Sequence, residues 1–390
     1  MSKVIIALNS TWNLVNFRAG LIRAMISAGY DVVAVAPPDE HVESLRALGC
    51  RYLPLPVDSK GTHPGRDLKL LFRFWLLLRS ERPSVYLGYT VKPNVYGSLA
   101  AHSLDIPVIN NVAGLGAVFI RDTWLTGLVS RLYKLALARS AKVFFQNNED
   151  RHLFVQAGLV RPEVTDCLPG SGVDLVRFRL QGTRDKRNCQ ASFRFLLIAR
   201  MLWDKGVGEY VEAARLVRRR YPEVEFCLLG FLDVQNPAAI PRAQMDEWVA
   251  EGVVSYLGAA NDVRPHIAHA DCVVLPSYRE GVPRTLLEAA AMGRPIITTD
   301  AVGCRDVVDD EVNGYLCTPG DPEDLAIKML QMIELPHEIR QTMSLRSREK
   351  VEREFDEQIV IKSYLEAICE ITGGERGCMV TASKSATGST

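Results

Sequence analysis

The chain has 390 residues, of which 47% are hydrophobic and 24% are charged, and it carries no net charge. A chain of this length is too long for one ordinary hydrophobic core, so we expect two domains. The balanced charge argues against a nucleic-acid-binding protein. The nine cysteines are scattered and never form a Cys-x-x-Cys pair, which argues against a disulfide or zinc framework and for reduced thiols.

Short apolar runs alternate with helical stretches along the whole chain. This alternation predicts parallel sheets with crossover helices, and therefore an α/β protein with two doubly wound, Rossmann-like domains. The predicted strands are 3–9, 31–36, 51–57, 84–90, 106–112 and 141–147 in the first half, and 193–199, 225–230, 253–258, 271–276, 295–300 and 314–318 in the second.

The apolar periodicity disappears between residues 170 and 192, which indicates a connection between domains. A helical stretch follows the second domain, and the last residues are rich in Gly, Ser and Thr, a composition typical of disorder. We predict an N-terminal domain at 1–172, a linker at 173–192, a second domain at 193–354, a helix at 355–372 and a disordered tail at 373–390.

A polar segment, Asn9 to Arg18, follows the first predicted strand and opens a helix. At that position the helix N–H groups and Arg18 are expected to face a ligand crevice, together with Asn16. Simple helix capping by Asn and Ser is the alternative. The segment contains no glycine, so the Gly-x-Gly-x-x-Gly turn of a nicotinamide-dependent enzyme is missing.

Residues 66–79 combine a strongly apolar stretch with interleaved cations, and residues 61–145 hold eleven Lys or Arg against four Asp or Glu. A basic region with Trp and Phe on an otherwise acidic chain is typical of a peripheral membrane face. Packing of the apolar stripe on the sheet is the alternative, and part of the stripe must pack there. The residues expected at the membrane are Phe72, Arg73, Phe74, Trp75 and Arg79.

Two cations follow the first strand of the second half, Arg200 and, beside a glycine, Lys205. A guanidinium fork and a point charge at the start of a helix can clamp a diphosphate. Solvated surface cations are the alternative. Gly230 ends the next strand, where it either allows a ligand close to the backbone or serves as a plain turn glycine.

The most informative stretch runs from Ser277 to Gly293, after a buried strand. Glu280 falls in a loop and Glu288 on a helix that Gly293 is predicted to end. The first N–H groups of this helix can hold a phosphate. Two carboxylates beside an anion site suit a ligand with hydroxyls and phosphate, such as a nucleotide sugar.

This stretch resembles the Glu-x7-Glu signature of retaining glycosyltransferases of family 4, which have the GT-B fold of two Rossmann-like domains facing a central cleft. The run Arg200 to Gly206 resembles the Arg-Leu-x-x-x-Lys-Gly element of the same family. By resemblance, Arg200, Lys205 and Glu280 serve catalysis and Glu288 binds the ribose of the donor. Further donor contacts implied are Asn16, Gly230, Leu257, Gly281, Val282 and Pro283.

Two further motifs, at 88–97 and 106–119, resemble bacterial transferases that act on undecaprenyl-diphosphate-linked sugars, among them N-acetylgalactosaminyltransferases. This resemblance covers the chain to about residue 370. Many family-4 enzymes have a His that touches the donor sugar where this chain has Ala113. The acceptor-binding residues implied are Arg18, Lys92, Asn94, Asn110 and Asn111; an exposed loop lysine is the alternative for Lys92.

The resemblance implies transfer of a hexose or N-acetylhexosamine from a UDP-sugar, as co-substrate and without a cofactor, to a polyprenyl-diphosphate-linked sugar. Because no Asp-x-Asp motif follows a strand, we expect no metal, with cations neutralising the leaving group. We also expect no nucleic-acid partner and a cytoplasmic protein, peripheral on the inner leaflet of the cell membrane. The alternatives are a UDP-sugar epimerase of GT-B fold and a non-catalytic sugar-binding protein.

Overall fold

The computed structural model describes residues 1–57, 63–114, 124–180 and 192–373. Two compact units emerge, one formed by Met1–Ser171 with the chain from Glu357 on, the other by Gly172–Asp356. The first part of the predicted linker, 173–180, thus belongs to the second unit. The rest of that linker up to 191, and the predicted tail after Gly373, lie outside the described residues.

The first unit is built on a seven-stranded, all-parallel sheet with the order β3-β2-β1-β4-β5-β6-β7. Helices cover it, so its central strands are apolar on both faces. The strands are β1 Lys3–Ala7, β2 Asp31–Ala36, β3 Arg51–Pro54, β4 Val85–Tyr89, β5 Val108–Val112, β6 Lys142–Phe145 and β7 Thr165–Cys167. The helices are α1 Thr11–Phe17, α2 Ala19–Ser27, α3 Val42–Arg46, α4 Pro64–Glu81, α5 Ser98–Ser103, α6 Trp124–Leu137 and α7 Asn148–Gln156.

The second unit repeats the arrangement with six parallel strands in the order β10-β9-β8-β11-β12-β13. Its strands are β8 Arg194–Ile198, β9 Glu225–Leu229, β10 Ser255–Tyr256, β11 Cys272–Leu275, β12 Ile296–Thr299 and β13 Gly314–Cys317. Its helices are α8 Val207–Arg218, α9 Arg242–Ala250, α10 Arg264–His269, α11 Arg284–Ala291, α12 Pro322–Glu334 and α13 His337–Glu354.

The last helix, α14 Glu357–Thr372, returns to the first unit. Its buried residues Val360, Tyr364 and Ile368 join the apolar cluster that lies under α2 and β1. This placement follows from the apolar residues that recur at a spacing of four along α14, because such a stripe must be buried against another element.

Every predicted strand is present, and the fold class is confirmed as α/β with two Rossmann-like units. The sequence missed β7, a short edge strand with the polar sequence Thr-Asp-Cys. In both sheets the strand order reverses beside the first strand, between β1 and β4 and between β8 and β11. Open α/β sheets bind ligands at the carboxyl ends of the strands at such a switch point.

Candidate active site

In the second unit, the loops that follow β8 and β11 pack closely and hydrogen-bond to each other at the switch point. Gly206 has φ +70°, and a Cβ there would overlap the carbonyl oxygen of Pro276, so only glycine fits. The carbonyl of Asp204 accepts hydrogen bonds from the Ser277 hydroxyl and from the Tyr278 N–H, both at 3.1 Å. These contacts fix the position of the neighbouring charged residues.

Lys205 and Glu280 form an ion pair between these two loops, with side chains 18% and 17% exposed. The Glu280 N–H donates to the carbonyl of Val302 at 3.0 Å, so the loop after β12 also supports the pair. Gly303, with φ +79°, lies so close to Glu280 that a Cβ would overlap its carbonyl oxygen. The structure therefore joins two residues predicted separately, 75 positions apart, into one mostly buried charged pair.

Glu288 lies on α11, as predicted, and its carboxylate accepts a hydrogen bond at 2.9 Å from Nε of Arg284 one turn earlier. Burial raises the pKa of Glu288 above its ordinary value, while Arg284 and Arg177 act in the opposite direction. Sequence reasoning missed Arg284, although the i, i+4 spacing of opposite charges on a helix could have indicated it.

The residues before and after Glu288 set the start and the end of α11. Pro283, expected in the first turn, lies just before the helix in an extended conformation, with φ −73° and ψ 109°. Gly281 and Val282 precede it, and Val282 packs partly against the apolar core of the unit. Gly293 has φ +69° directly after the helix, which confirms the predicted helix end.

The remaining predicted donor residues of the second unit follow β8, β9 and β10. A Cβ on Gly230 would overlap the carbonyl oxygen of Ala199, and its N–H donates to Gly258 at 2.8 Å, so this glycine draws the strand ends together. Leu257 is 42% exposed. Arg200 is exposed and forms no ion pair with any described residue.

In the first unit, the N-terminus of α1 is already capped by a carboxylate of the chain itself. Asp39 accepts hydrogen bonds from the N–H groups of Thr11 at 2.9 Å and Trp12 at 3.3 Å. Burial alone would raise the pKa of Asp39, but its hydrogen bonds, led by the Thr11 hydroxyl, lower it. The expectation that these N–H groups face a ligand is therefore wrong, because Asp39 occupies the anion position. Asn16 donates to the carbonyl of Trp12 within the helix.

Arg18 is buried, and its guanidinium lies 4.5 Å from the ring centre of Tyr89, the last residue of β4. Asn111 and Tyr364 are buried as well, and Tyr364 interacts with both Tyr89 and the side chain of Asn111. Arg18 and Asn111, both predicted to bind the acceptor, thus belong to one buried polar cluster at the carboxyl edge of the first sheet.

The other predicted acceptor residues hold the π-helical turn Pro93–Gly97 in place. Lys92 is no exposed loop lysine, since it forms a 2.8 Å ion pair with the buried Asp67 of α4. Asn94 and Asn110 are fully buried, and their side chains bond to each other at 2.9 Å. Asn94 also donates to the Asn111 carbonyl at 2.7 Å. Asn94 and Asn110 therefore stabilise the turn Pro93–Gly97 from the protein interior. This corrects the expectation that they face an acceptor.

Two family models match this chain, one in each half. Residues 16–170 match the glycosyl transferase 4-like domain, and residues 192–335 match glycosyl transferases group 1. The chain belongs to the group 1 glycosyltransferases with the GT-B fold.

Curated relatives and solved structures agree with this assignment. The glycosyltransferase is 27% identical over 366 residues to N,N'-diacetylbacillosaminyl-diphospho-undecaprenol alpha-1,3-N-acetylgalactosaminyltransferase of Campylobacter jejuni, covering 90% of this chain and 94% of the relative. It is 25% identical to UDP-Gal:alpha-D-GlcNAc-diphosphoundecaprenol alpha-1,3-galactosyltransferase of Escherichia coli, with coverage of 75% and 76%. Anabaena HepE in complex with UDP and glucose has the same fold, with a TM-score of 0.76, 18% identity and coverage of 95% and 100%.

Helix α4 of the glycosyltransferase presents two apolar stripes. Phe72 is 56% exposed and stacks on Trp75. The guanidinium of the exposed Arg79 lies over the Trp75 ring. Arg73 is half-buried. Phe74, by contrast, is fully buried and packs edge-on against Tyr86, so its predicted membrane contact is wrong.

No described helix has both the length and the apolar composition needed to cross a membrane. Among the described residues, no three His, Cys, Asp or Glu side chains form a group that could hold a metal ion.

Proposed function

We propose that this glycosyltransferase transfers a hexose or N-acetylhexosamine from a UDP-sugar to a hydroxyl of an undecaprenyl-diphosphate-linked sugar. The proposal includes retention of the anomeric configuration and no requirement for a metal ion. The observation that carries it is the Lys205–Glu280 pair at the switch point of the second sheet, with Glu288 on the adjoining helix.

The donor position is supported by the charges at this sheet edge. The ammonium of Lys205 and the guanidinium of Arg200 are the cations available for a diphosphate, and Arg200 has no competing acid among the described residues. The carboxylate of Glu288 can accept hydrogen bonds from ribose hydroxyls, because Arg284 holds only part of it. The E. coli relative is named for a UDP-linked donor, which favours uridine as the nucleoside.

The acceptor class rests on the relatives, since both are named for undecaprenyl-diphosphate-linked sugars. Of the two cations predicted to bind the acceptor, Arg18 is favoured for such a diphosphate, because Lys92 is held by Asp67. Acceptor contact by Arg18 and Asn111 belongs to the proposal. It requires the buried cluster around them to open toward the ligand.

The proposed reaction exchanges one bond at the anomeric carbon. The bond from this carbon to the phosphate oxygen breaks as the acceptor hydroxyl attacks on the same face. The departing phosphate oxygen then takes the hydroxyl proton, and Lys205 and Arg200 neutralise the leaving UDP. Glu280 orients the donor sugar and does not attack it.

A lipid-linked acceptor requires the enzyme to work at a membrane surface. The exposed stripe of α4, formed by Leu68, Phe72 and Leu76 with the cations Lys69 and Arg79, offers apolar contacts beside positive charge. We propose that this stripe docks on the anionic inner leaflet of the cell membrane.

The first test of the proposed function is a thermal-shift panel in EDTA with UDP, GDP, ADP, NAD and UDP-N-acetylhexosamines, followed by a transfer assay on a lipid-linked acceptor. We expect selective stabilisation by UDP and one UDP-sugar. Glu280→Gln should lower turnover by about 100-fold, because the donor sugar is no longer oriented. UDP binding should persist or tighten, because Lys205 loses its internal partner.

Glu247→Gln, an exposed change of the same chemistry on α9, serves as the control and should leave turnover intact. Unchanged turnover of Glu280→Gln would remove Glu280 from the mechanism. Stabilisation by NAD, or by nothing until a metal is added, would overturn the proposed donor site as a whole.

A further inference from the structure

A cavity of about 480 Å³ lies in the second unit, beside the α10 and α11 helices. None of its lining residues belongs to the proposed donor or acceptor set. Its volume falls within the roughly 300–1,000 Å³ that small-ligand pockets usually have. Three guanidinium groups and an apolar floor line it: Arg177, Arg179, Arg264, Asp262, Val176, Pro265, Ala268 and Met292.

The turn that carries two of these arginines is held firmly. The carboxylate of Asp174 accepts hydrogen bonds from the N–H groups of Val176 at 2.9 Å and Arg177 at 2.8 Å. Phe178 is buried, and its carbonyl accepts a hydrogen bond at 2.8 Å from Arg348 on α13. Because Phe178 anchors the turn, its neighbours on either side, Arg177 and Arg179, are kept at the surface of the cavity.

The charges of the cavity do not balance. Asp262 is the only acidic residue that lines it. Its carboxylate already accepts hydrogen bonds from Nε and Nη2 of Arg264, at 2.8 and 2.7 Å. Arg177 and Arg179 form no ion pair with a described acid, and Arg179 donates only to the carbonyl of Val176. Two positive charges thus border an open pocket that has an apolar floor.

We propose that this cavity is a second anion site, formed without Lys205 and Arg200, which binds a phosphate group attached to an apolar body. Arginine forks match the geometry of phosphate oxygens and bind them in pairs. Val176, Pro265, Ala268 and Met292 supply the apolar surface for the rest of the ligand. A soluble phosphate ester and the phosphate headgroup of a lipid share this chemistry.

The test uses the full chain with Lys205→Ala and Arg200→Ala, so that the two cations of the proposed donor site do not contribute, and phenyl phosphate as the probe in calorimetry. We expect one binding site, whose affinity falls at least about tenfold when Arg177→Ala and Arg179→Ala are added. The matched control removes two exposed arginines elsewhere in the same unit, Arg219→Ala with Arg220→Ala, and should keep the affinity.

A second arm compares vesicles of phosphatidylcholine with vesicles that also contain phosphatidic acid. Weaker sedimentation with the acidic vesicles in the Arg177 and Arg179 variant than in the Arg219 and Arg220 control identifies a lipid phosphate, whereas probe binding without a vesicle difference identifies a soluble ester. Absence of probe binding, or an equal loss in the control variant, overturns the site. UDP binding to the protein with Lys205 intact reports on the donor site independently.

Discussion

At the scale of single residues, the candidate site contains two opposite charges, Lys205 and Glu280, that form an ion pair with each other. Lys205 and Glu280 are both mostly buried, so each stabilises the other where an isolated charge would be costly. Under the proposed function, a donor diphosphate offers Lys205 a stronger anion and leaves Glu280 free to bind the sugar. The proposal thus links binding of the diphosphate to orientation of the sugar through this pair.

Glu288 gives a pH dependence whose sign can be derived. Its pKa is raised by burial and held down by Arg284, and only the ionised carboxylate accepts two hydrogen bonds from ribose. UDP affinity should therefore fall as the pH drops through this pKa. In Arg284→Met the pKa rises further, so we expect the decline to begin at higher pH when the dissociation constant is measured between about pH 5 and about pH 8.

Two variants control this prediction. Arg305→Gln changes an arginine of the same unit that pairs with Asp300, and its pH curve should match that of the unaltered protein. Glu288→Gln should bind UDP weakly, with this pH dependence lost. Superimposable curves for Arg284→Met and the unaltered protein would mean that Arg284 does not tune the carboxylate.

The sequence could predict residues whose placement depends on nearby neighbours. Glu280 in a loop, Glu288 on a helix and Gly293 after it all follow from a local pattern of strand, turn and helix formers. The pairing of Lys205 with Glu280 and the cap of α1 by Asp39 could not be derived locally, because each joins loops that only the strand order of the sheet brings together.

At the scale of the element, helix α4 shows why periodicity alone could not tell which of its two apolar faces is buried. Leu70, Phe74 and Leu78 are buried at a spacing of four. Leu68, Phe72 and Leu76, two positions earlier, have the same spacing and are exposed. Both stripes satisfy the pattern of an amphipathic helix, so the sequence predicted a membrane face and misplaced Phe74 on it.

The exposed stripe of α4 makes a direct prediction. Replacing Leu68, Phe72 and Leu76 by Ser should reduce binding to vesicles with anionic lipid by about tenfold or more, because each change removes apolar contact with the interface. The melting temperature should change little, because these side chains do not fill the core. Co-sedimentation with vesicles at low and high salt measures the effect and its electrostatic part.

The control for α4 replaces three exposed apolar side chains of the second unit, each about half exposed. The changes are Val312→Ser, Ile327→Ser and Leu345→Ser. This variant should bind vesicles like the unaltered protein. Equal binding by both triple variants and the unaltered protein would place the membrane contact outside α4.

At the scale of the whole molecule, the two units share a strand order but differ at the end of their first strand. In the first unit Asp39 fills the anion position at the start of α1. In the second unit, α8 begins directly after Gly206, which follows Lys205, and its N-terminus has no side-chain cap. The helix start of the first unit is therefore occupied by an internal carboxylate and that of the second unit is not, which agrees with placing the proposed donor site in the second unit.

The first unit is also discontinuous in sequence, since α14 completes it after the entire second unit. Val360, Ile361, Leu365 and Ile368 of α14 are buried there, and burying such a side chain stabilises a fold by about 1.5–3 kcal/mol. Four of them amount to a sizeable share of the roughly 5–15 kcal/mol that a whole domain has. Removing α14 also exposes the apolar surface of α2 that it covers.

A chain that stops at Asp356 should therefore lose the first unit and keep the second. In thermal unfolding, we expect the transition of the first unit to shift down by 10 °C or more, or to disappear, whereas UDP binding by the second unit persists. A chain that stops at Gly373 keeps α14 and should unfold like the full-length protein. If the chain ending at Asp356 keeps both transitions, α14 is a passive extension and the first unit is complete at Ser171.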